Sequence, residues 1–260
     1  MPSQPRRNWT RQDTLIAFRL YCRTPFGKLH KGNPEIIDLS QRLGRTPSAV
    51  GMKACNFASL DPEQQNRGIT ALANTSSIDD QIWEEFETNP EAVAAEAEAA
   101  YERLLIGASE SPLSAFVEGA VIMPQGPTEI DRVVRTRRVQ GFFRDTVLTS
   151  YGFRCSLTGL DVPELLNASH IIPWATSVER RADPRNGLCL NVILDRAFDR
   201  GLIAFNDDLT VIVSSRLTRH HEAGGILVPG GLVGRRLNPP SRFDPDPRAL
   251  EYHRTTIFQH

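Results

Sequence analysis

Four short motifs stand in a fixed order between residues 155 and 201, and they constrain the fold of this chain more than any other feature. They read C-S-L-T-G, N-A-S-H-I-I-P-W, N-G-L-C-L and D-R-A-F-D-R-G. His170 lies at the end of an apolar, partly β-branched run, which is typical of a strand. Residues 188–192 predict a second strand, and residues 194–200 predict a helix that Gly201 ends. The segment therefore predicts a strand, a loop, a second strand and a helix.

Side chains with complementary chemistry fall at fixed points of this pattern. His170 supplies an imidazole, which with an ordinary pKa of about 6.5 can accept a proton from water near neutral pH. Asn186 precedes Gly187 in a predicted turn of hairpin type, where its amide could brace a loop. Asp195 and Asp199 are four residues apart, so they share one helix face, and their oxygen atoms favour Mg²⁺ or Mn²⁺ over zinc. A one-metal phosphodiesterase requires this combination.

Structural explanations for the same residues stay open at this point. His170 could be a core histidine with satisfied hydrogen bonds at a strand end. Asp195 and Asp199 could be an acid in the first turn of a helix and an acid at its C-terminal end. An Asn-Gly turn is compatible with either interpretation of Asn186. The order of the motifs, rather than any one residue, favours the catalytic interpretation.

The composition narrows the class of protein. A chain of 260 residues can form two domains, and 40% hydrophobic with 23% charged residues is typical of a soluble globular protein. No apolar run approaches the roughly 18 residues of a membrane helix, and no apolar stretch follows the basic N-terminus as in a secretory signal. The four scattered cysteines favour reduced thiols in a cytoplasm over a disulfide framework. We therefore expect a cytoplasmic protein with no membrane partner.

Charge is distributed unevenly although the net charge is −1. Residues 1–70 contain eleven Lys and Arg against five acids, and residues 129–154 contain six Arg against three acids. Between them, residues 79–110 contain ten acids and a single arginine. Two basic segments around an acidic helix indicate two surfaces for a polyanion, although solvated helix faces explain the counts equally well.

The N-terminal part of the chain predicts helices with clear starts. Thr10 can cap the first helix, and Asn33-Pro34 and Thr46-Pro47 each place a capping residue before a proline. The last two helices are joined by L-G-R-T, a spacing typical of a helix-turn-helix. We predict a helical, DNA-binding domain over residues 1–106, a linker over 107–127 and a second domain over 128–260.

W-T-R-Q-D and L-G-R-T-P-S-A-V-G-M-K resemble the first and third helices of Myb-like DNA-binding domains. In such domains the third helix enters the major groove. The resemblance therefore implies DNA contacts by Arg45, Ser48, Lys53 and Asn56. A structural or protein-binding helical module is the alternative, because many helical bundles share these capping residues.

The second domain resembles the HNH endonucleases, in particular the branch found among restriction-type enzymes. The shared order is R-x-x-Q-x-x-F-R, C-x-x-T-G, H-I-x-P-W, N-G and F-D-R-G, which spans residues 137–205. Y-H-R-x-x-x-F at 252–258 extends it. The resemblance implies an α+β protein with a ββα-metal core, and a metal-dependent DNA endonuclease of restriction or defence type that leaves 3′-hydroxyl and 5′-phosphate ends. Because one such core cuts one strand, double-strand cleavage requires a homodimer or two successive binding events.

The resemblance also assigns roles to individual residues. His170 falls at the position of the general base and Asn186 at the position of the loop-bracing asparagine. Asp195 and Asp199 replace two histidines that often bind the metal. Ser169 stands where many relatives have an Asp or His ligand, and it is a poor ligand, so Asn167, water or substrate would complete the metal site.

Two further predictions concern the second domain: which residues contact DNA, and whether it holds a structural zinc ion. Basic side chains within the matched motifs give the predicted DNA contacts Arg137, Arg138, Arg144, His253 and Arg254. No structural zinc is expected, because the C-x-x-C pairs of zinc-binding relatives are missing around this core. Two alternative functions stay open: a DNA-binding regulator with an inactive core, and a nuclease that a partner or signal switches on.

Overall fold

The computed structural model describes residues 7–68, 75–107, 127–218, 232 and 234–260. The chain forms two compact units, residues 1–139 and 140–260, and the division falls within one long helix. The interior of the predicted linker, 108–126, lies outside the described residues. Helices and a few short antiparallel strands make up the described part, so the predicted α+β class is confirmed.

The elements follow one another in this order along the chain. The α-helices are α1 (Arg11–Arg23), α2 (Pro34–Arg42), α3 (Pro47–Leu60), α4 (Pro62–Asn66), α5 (Ser77–Thr88), α6 (Pro90–Ile106), α7 (Pro127–Ser150), α8 (Val192–Asp199), α9 (Ser215–Thr218) and α10 (Pro247–Tyr252). The strands are β1 (Leu166–His170), β2 (Gly187–Asn191), β3 (Ile203–Phe205) and β4 (Val211–Val213). None of the helices within the described ranges is long and apolar enough to cross a membrane.

The first unit is a helical bundle whose helices begin at the predicted caps. Side-chain oxygens of Thr10, Asn33 and Thr46 accept backbone N–H groups in the first turns of α1, α2 and α3. Aromatic rings fill the centre, where Phe18 packs edge-on against Phe57 and Phe86 at centroid distances of 5.1 and 4.9 Å. The capping residues therefore fix where each helix starts, and the aromatic core fixes which faces meet.

The second unit is built around an antiparallel pair, β1 with β2, in which His170 lies opposite Gly187. The helix α8 packs on both strands through Leu194 and Phe198, which are buried. The strands β3 and β4 form a second antiparallel pair, and the buried face of α7 completes the same core. Strand, loop, strand and helix therefore follow the predicted order.

The predicted hairpin turn at Asn186-Gly187 is wrong. Asn186 ends a 3₁₀ turn, Pro184–Asn186, and Gly187 is the first residue of β2 with an extended φ of −134°. A Cβ atom at Gly187 would lie 2.5 Å from Val147 Cγ2 and 2.9 Å from Phe143 Cζ. Glycine is needed here because α7 packs directly against the strand, not because the backbone turns.

Candidate active site

One open cavity of about 620 Å³ gathers most of the predicted catalytic and metal-binding residues of the second unit. Its walls come from α7, β1, the loop after β1, and α8. The lining residues are Gln140, Phe143, Arg144, Asn167, Ala168, Ser169, His170, Pro173, Trp174, Asp195, Arg196, Asp199 and Arg200. The fold therefore brings His170, Asp195 and Asp199 to the same cavity from three sequence positions on two elements.

The imidazole of His170 is held in one orientation by three neighbours. Its ring stacks on Phe143 at a centroid distance of 3.7 Å and an interplanar angle of 13°, and it lies nearly perpendicular to the Trp174 ring at a centroid distance of 5.6 Å. Its Nε2 lies 3.0 Å from the carbonyl oxygen of Arg181. Because a carbonyl can only accept a hydrogen bond, Nε2 carries the proton. In the neutral ring, Nδ1 is then the nitrogen with a free lone pair.

Burial lowers the pKa of His170 below its ordinary value, although the hydrogen bond to the Arg181 carbonyl opposes part of this shift. The guanidinium of Arg181 lowers the pKa further, and the carboxylate of Asp195 raises it. The net effect favours the neutral ring at neutral pH, which is the form that can accept a proton.

Asn186 ties the ends of the loop that lies between β1 and β2. Its side chain is 1% exposed, its Oδ1 accepts the N–H of Ile172 at 2.8 Å, and its Nδ2 donates to the carbonyls of Ile172 and Arg180 at 3.1 and 3.3 Å. Arg181 adds a second tie, because its Nε donates to the Trp174 carbonyl at 3.0 Å. These bonds fix the loop that supplies the Arg181 carbonyl to His170.

The two acids of α8 face the cavity and affect one another. Partial burial and then the carboxylate of Asp195 raise the pKa of Asp199, and the guanidinium groups of Arg196 and Arg200 oppose the shift. Asn167 on β1 donates from Nδ2 to the Asp195 carboxylate at 2.7 Å. Asp195 is therefore oriented from the neighbouring strand, a contact that the sequence analysis did not assign.

Several arginines at the cavity give it positive charge. Arg144, which was predicted to contact DNA, lines the cavity and donates to the Leu166 carbonyl at 2.9 Å. Arg196 and Arg200 line it as well, and the sequence analysis missed both. Their positions one residue after each aspartate could have revealed them, since residues 195, 196, 199 and 200 form one broad helix face.

The remaining predicted DNA contacts of the chain's second half, His253, Arg254, Arg137 and Arg138, are not among the residues that line this cavity. His253 is 2% exposed and stacks on Phe198 at 3.7 Å, so the prediction that it contacts DNA is wrong: the ring belongs to the core. Arg254 donates to the Phe205 carbonyl and to Asp207 and does not line the cavity. Arg137 is exposed on α7, and Arg138 pairs with Glu102 at 2.6 Å.

In the first unit, two of the four predicted DNA contacts are buried, and those two predictions are wrong. Lys53 is 5% exposed and pairs with Asp79, and Asn56 is 8% exposed and donates to the same carboxylate at 3.1 Å. Both side chains therefore hold α3 to the start of α5. Arg45 is also occupied, because it donates to Asp13 at 2.8 Å and stacks on Trp9. Ser48 is exposed.

Residues 155–206 match the family described as HNH endonuclease. The match includes β1, β2, α8 and β3, and with them His170, Asn186, Asp195 and Asp199. The chain therefore contains an HNH endonuclease domain over this segment, and the resemblance inferred from the motifs is confirmed for it. No curated protein matches the chain. The Myb-like resemblance concerns residues outside the match and stays a prediction.

The HNH domain indicates a nuclease that acts on DNA, and HNH nucleases generally use a divalent metal ion. The donor chemistry of the cavity fits such an ion, because burial and then the neighbouring carboxylate of Asp195 raise the pKa of Asp199, and a bound cation would offset both effects. The buried Oγ of Ser169 has no hydrogen-bond partner among the described residues. Within those same residues, no three His, Cys, Asp or Glu side chains are grouped to hold a metal. Asp195 and Asp199 are therefore the two acidic side chains among the residues lining the cavity that could hold such an ion.

Proposed function

We propose that the second unit is a metal-dependent phosphodiesterase that cleaves double-stranded DNA with His170 as its general base. The observation that carries this proposal is the contact between Nε2 of His170 and the carbonyl of Arg181, in a cavity that also holds Asp195 and Asp199. The carbonyl engages the Nε2 proton, and the lone pair of Nδ1 is left to accept another. Phe143 keeps the ring plane in place during the transfer.

The reaction follows from this arrangement. Nδ1 of His170 accepts a proton from a water molecule while the water oxygen attacks phosphorus. The bond between phosphorus and the 3′ oxygen breaks, and that oxygen takes a proton from solvent. The products are 3′-hydroxyl and 5′-phosphate ends. General base catalysis of this kind contributes roughly 10²–10⁴-fold to the rate.

Asp195 and Asp199 would hold Mg²⁺ or Mn²⁺. When bound, such an ion supplies positive charge to the scissile phosphate and to the departing oxygen. Mg²⁺ is commonly held by one or two carboxylates together with substrate phosphates and water. Two carboxylates without a third acidic or imidazole ligand fit that pattern, and Asn167 keeps the Asp195 carboxylate oriented.

The arginines of the cavity suit a phosphate backbone. Arg144 from α7, Arg196 from α8 and Arg200 directly after α8 line the same cavity as the two acids. Contacts of this kind position a nucleic acid without reading its sequence, and they weaken as salt concentration rises. We therefore assign them to binding of the strand and not to recognition of bases.

A role in restriction or defence rests on the order of the motifs and not on this geometry. Cleavage of methylated and unmethylated plasmids of the same sequence tests it. A restriction-type enzyme distinguishes the two substrates, whereas equal cleavage of both would leave only a general nuclease.

Plasmid relaxation by the full-length protein with Mg²⁺ or Mn²⁺ tests the proposed function. We expect nicked circles to appear before linear plasmid, and His170→Ala to slow nicking by roughly 10²–10⁴-fold. His30→Ala is the matched control, because His30 is an exposed histidine of the first unit. If wild type and His170→Ala are equally inert but still bind DNA, the protein is a non-catalytic DNA-binding regulator instead.

A further inference from the structure

The helix α8 is covered at its C-terminal end by the segment 253–259, which follows α10. This segment consists of a π-helical turn, His253–Ile257, and the two residues after it. His253 is 2% exposed, and its ring lies parallel to that of Phe198, with an interplanar angle of 3°. The catalytic proposal does not use this histidine, because His253 does not line the catalytic cavity.

Hydrogen bonds from the segment reach the backbone on both sides of Asp199. Nε2 of His253 donates to the Phe198 carbonyl at 3.0 Å, and Nε2 of Gln259 donates to the Arg200 carbonyl at 2.9 Å. The backbone N–H of Gln259 donates to the Gly201 carbonyl at 2.8 Å. Carbonyl groups in the last turn of a helix lack partners within the helix. In α8 the backbone N–H groups of Arg200, Gly201 and Leu202 already bond the carbonyls of Arg196, Phe198 and Ala197. The 253–259 segment adds a second donor to the Phe198 carbonyl and donors to the carbonyls of Arg200 and Gly201, the two residues after Asp199.

Gly201 allows the segment to approach α8 this closely. Its φ is +64°, and a Cβ atom there would overlap the carbonyl oxygen of Ile257 and lie 3.1 Å from the Cα of Phe258. Arg254 anchors the segment on its other side, because its guanidinium donates to the Phe205 carbonyl at 3.0 Å. The glycine of F-D-R-G is therefore required by contact between two backbones as well as by its dihedral angle.

A histidine is an unfavourable choice for packing alone at this position. Burial lowers the pKa of His253 to about 4, so the ring is neutral, and its buried Nδ1 has no hydrogen-bond partner among the described residues. Phenylalanine would fill the same space without an unsatisfied nitrogen. What histidine adds is the N–H that it donates to the Phe198 carbonyl.

We propose that the 253–259 segment positions the metal-binding face of α8, and that His253 is a positioning residue for Asp199. The inference rests on the proposed function, since it assigns Asp199 to the metal. His253 holds the residue before Asp199, and Gln259 holds the two residues after it. Without these bonds, the C-terminal end of α8 keeps its own backbone bonds but is no longer held against the 253–259 segment, and the Asp199 carboxylate is held less firmly beside Asp195.

Binding of Mn²⁺ to the full-length protein, measured by isothermal titration calorimetry, tests this inference without requiring cleavage. His253→Phe keeps the stacked ring and removes the donor, and we expect it to weaken Mn²⁺ binding about tenfold, the low end of the range for outer-shell partners of metal ligands. His253→Gln restores a donor and should recover part of the affinity. Thr256→Ala, an exposed position of the same segment, is the matched control and should bind Mn²⁺ like the wild type.

Further variants separate the possible outcomes. His170→Ala should bind Mn²⁺ like the wild type, because His170 is not assigned to the metal. If the wild type binds Mn²⁺ but cuts no DNA, the proposed function fails while the inference about the 253–259 segment can still be tested. Gln259→Ala removes the side-chain hydrogen bonds to the Arg200 carbonyl and from Arg216. It replaces His253→Phe if the latter fails to fold, and it should weaken Mn²⁺ binding measurably. Unchanged affinity in folded His253→Phe or Gln259→Ala, with or without a lower melting temperature, would make the segment merely structural. A wild type that binds no Mn²⁺ would also overturn the inference.

Discussion

At the scale of single residues, backbone atoms determine what the catalytic imidazole can do. The Arg181 carbonyl selects the tautomer of His170, and burial against Phe143 lowers its pKa. The carbonyl belongs to the loop between β1 and β2, and Asn186 holds that loop through both the oxygen and the nitrogen of its amide. One uncharged side chain therefore determines where the base is held.

Replacing Asn186 by alanine should damage stability and catalysis together. Three hydrogen bonds to a buried amide disappear, and we expect the free energy of unfolding to fall by about 2–3 kcal/mol. The loop that orients His170 would also shift, and cleavage should slow about 10²-fold. Urea denaturation and single-turnover cleavage of the same preparation measure the two effects. Asn238→Ala, at an exposed position, should change neither.

Lys53 illustrates how a residue type can suggest the wrong role. In the structure it neutralises Asp79, which is fully buried at the start of α5. Lys53→Met should therefore leave an uncompensated charge and lower the free energy of unfolding by about 3–5 kcal/mol. Ser48→Ala, on the exposed side of the same helix, should leave it unchanged. Equal urea stability of Lys53→Met and wild type, together with weaker DNA binding, would restore the original assignment.

At the scale of elements, α7 connects the core to the catalytic base. Its Phe143 touches both the His170 ring and the edge of β2 at Gly187, while its Arg144 reaches the Leu166 carbonyl. The contact with the strand is possible only because position 187 has no Cβ. A larger residue at position 187 should therefore displace Phe143 and, with it, the ring of His170 that stacks on Phe143.

Two glycine-to-alanine substitutions, one within α7 and one in the strand that packs on it, should change the stability of the protein in opposite directions. Gly187→Ala places a methyl group against Val147 and Phe143 and should destabilise the protein by about 1–3 kcal/mol, with slower cleavage. Gly141→Ala lies within α7 where no described atom comes within 4 Å of the new Cβ, and it should stabilise the protein by about 0.5–1 kcal/mol. Melting temperatures of both variants check the pair. A harmless Gly187→Ala would contradict the packing argument.

Local patterns in the sequence predicted the elements and the faces of the site. The spacing of Asp195 and Asp199 placed both on one side of α8, and the apolar run before His170 predicted β1. Local patterns do not predict partners that are distant in the sequence. The residues around Lys53 do not predict its ion pair with Asp79, and those around His253 do not predict its contact with Phe198, 55 residues earlier. Polar residues at helical spacing look the same whether they face water or a buried carboxylate.

At the scale of the whole molecule, the two units differ in how strongly their residues indicate a function. The second contains the HNH match and a cavity with chemistry suited to phosphate hydrolysis. The first is a helical bundle in which most of the predicted DNA contacts serve internal ion pairs and hydrogen bonds. Net basic charge in residues 1–70 therefore overstated the surface available to DNA, because charges that pair inside the bundle count equally in the sequence.

The central claim is that neutral His170 removes a proton from water beside the acids of α8. Burial lowers the pKa of His170 from its ordinary value, so the single-turnover cleavage rate of the wild type should stay constant near neutral pH and fall in acid, where the ring gains a proton, at a lower pH than an ordinary histidine would give. Asp199 also titrates in acid, but it remains in His170→Ala and serves as the internal reference.

The pH dependence of that rate, measured for wild type and His170→Ala, tests the claim most directly. We predict a variant that is roughly 10²–10⁴-fold slower, without the histidine step that limits the wild type below neutral pH. A variant with the wild-type rate, or with the same step in its pH profile, would show that another group removes the proton.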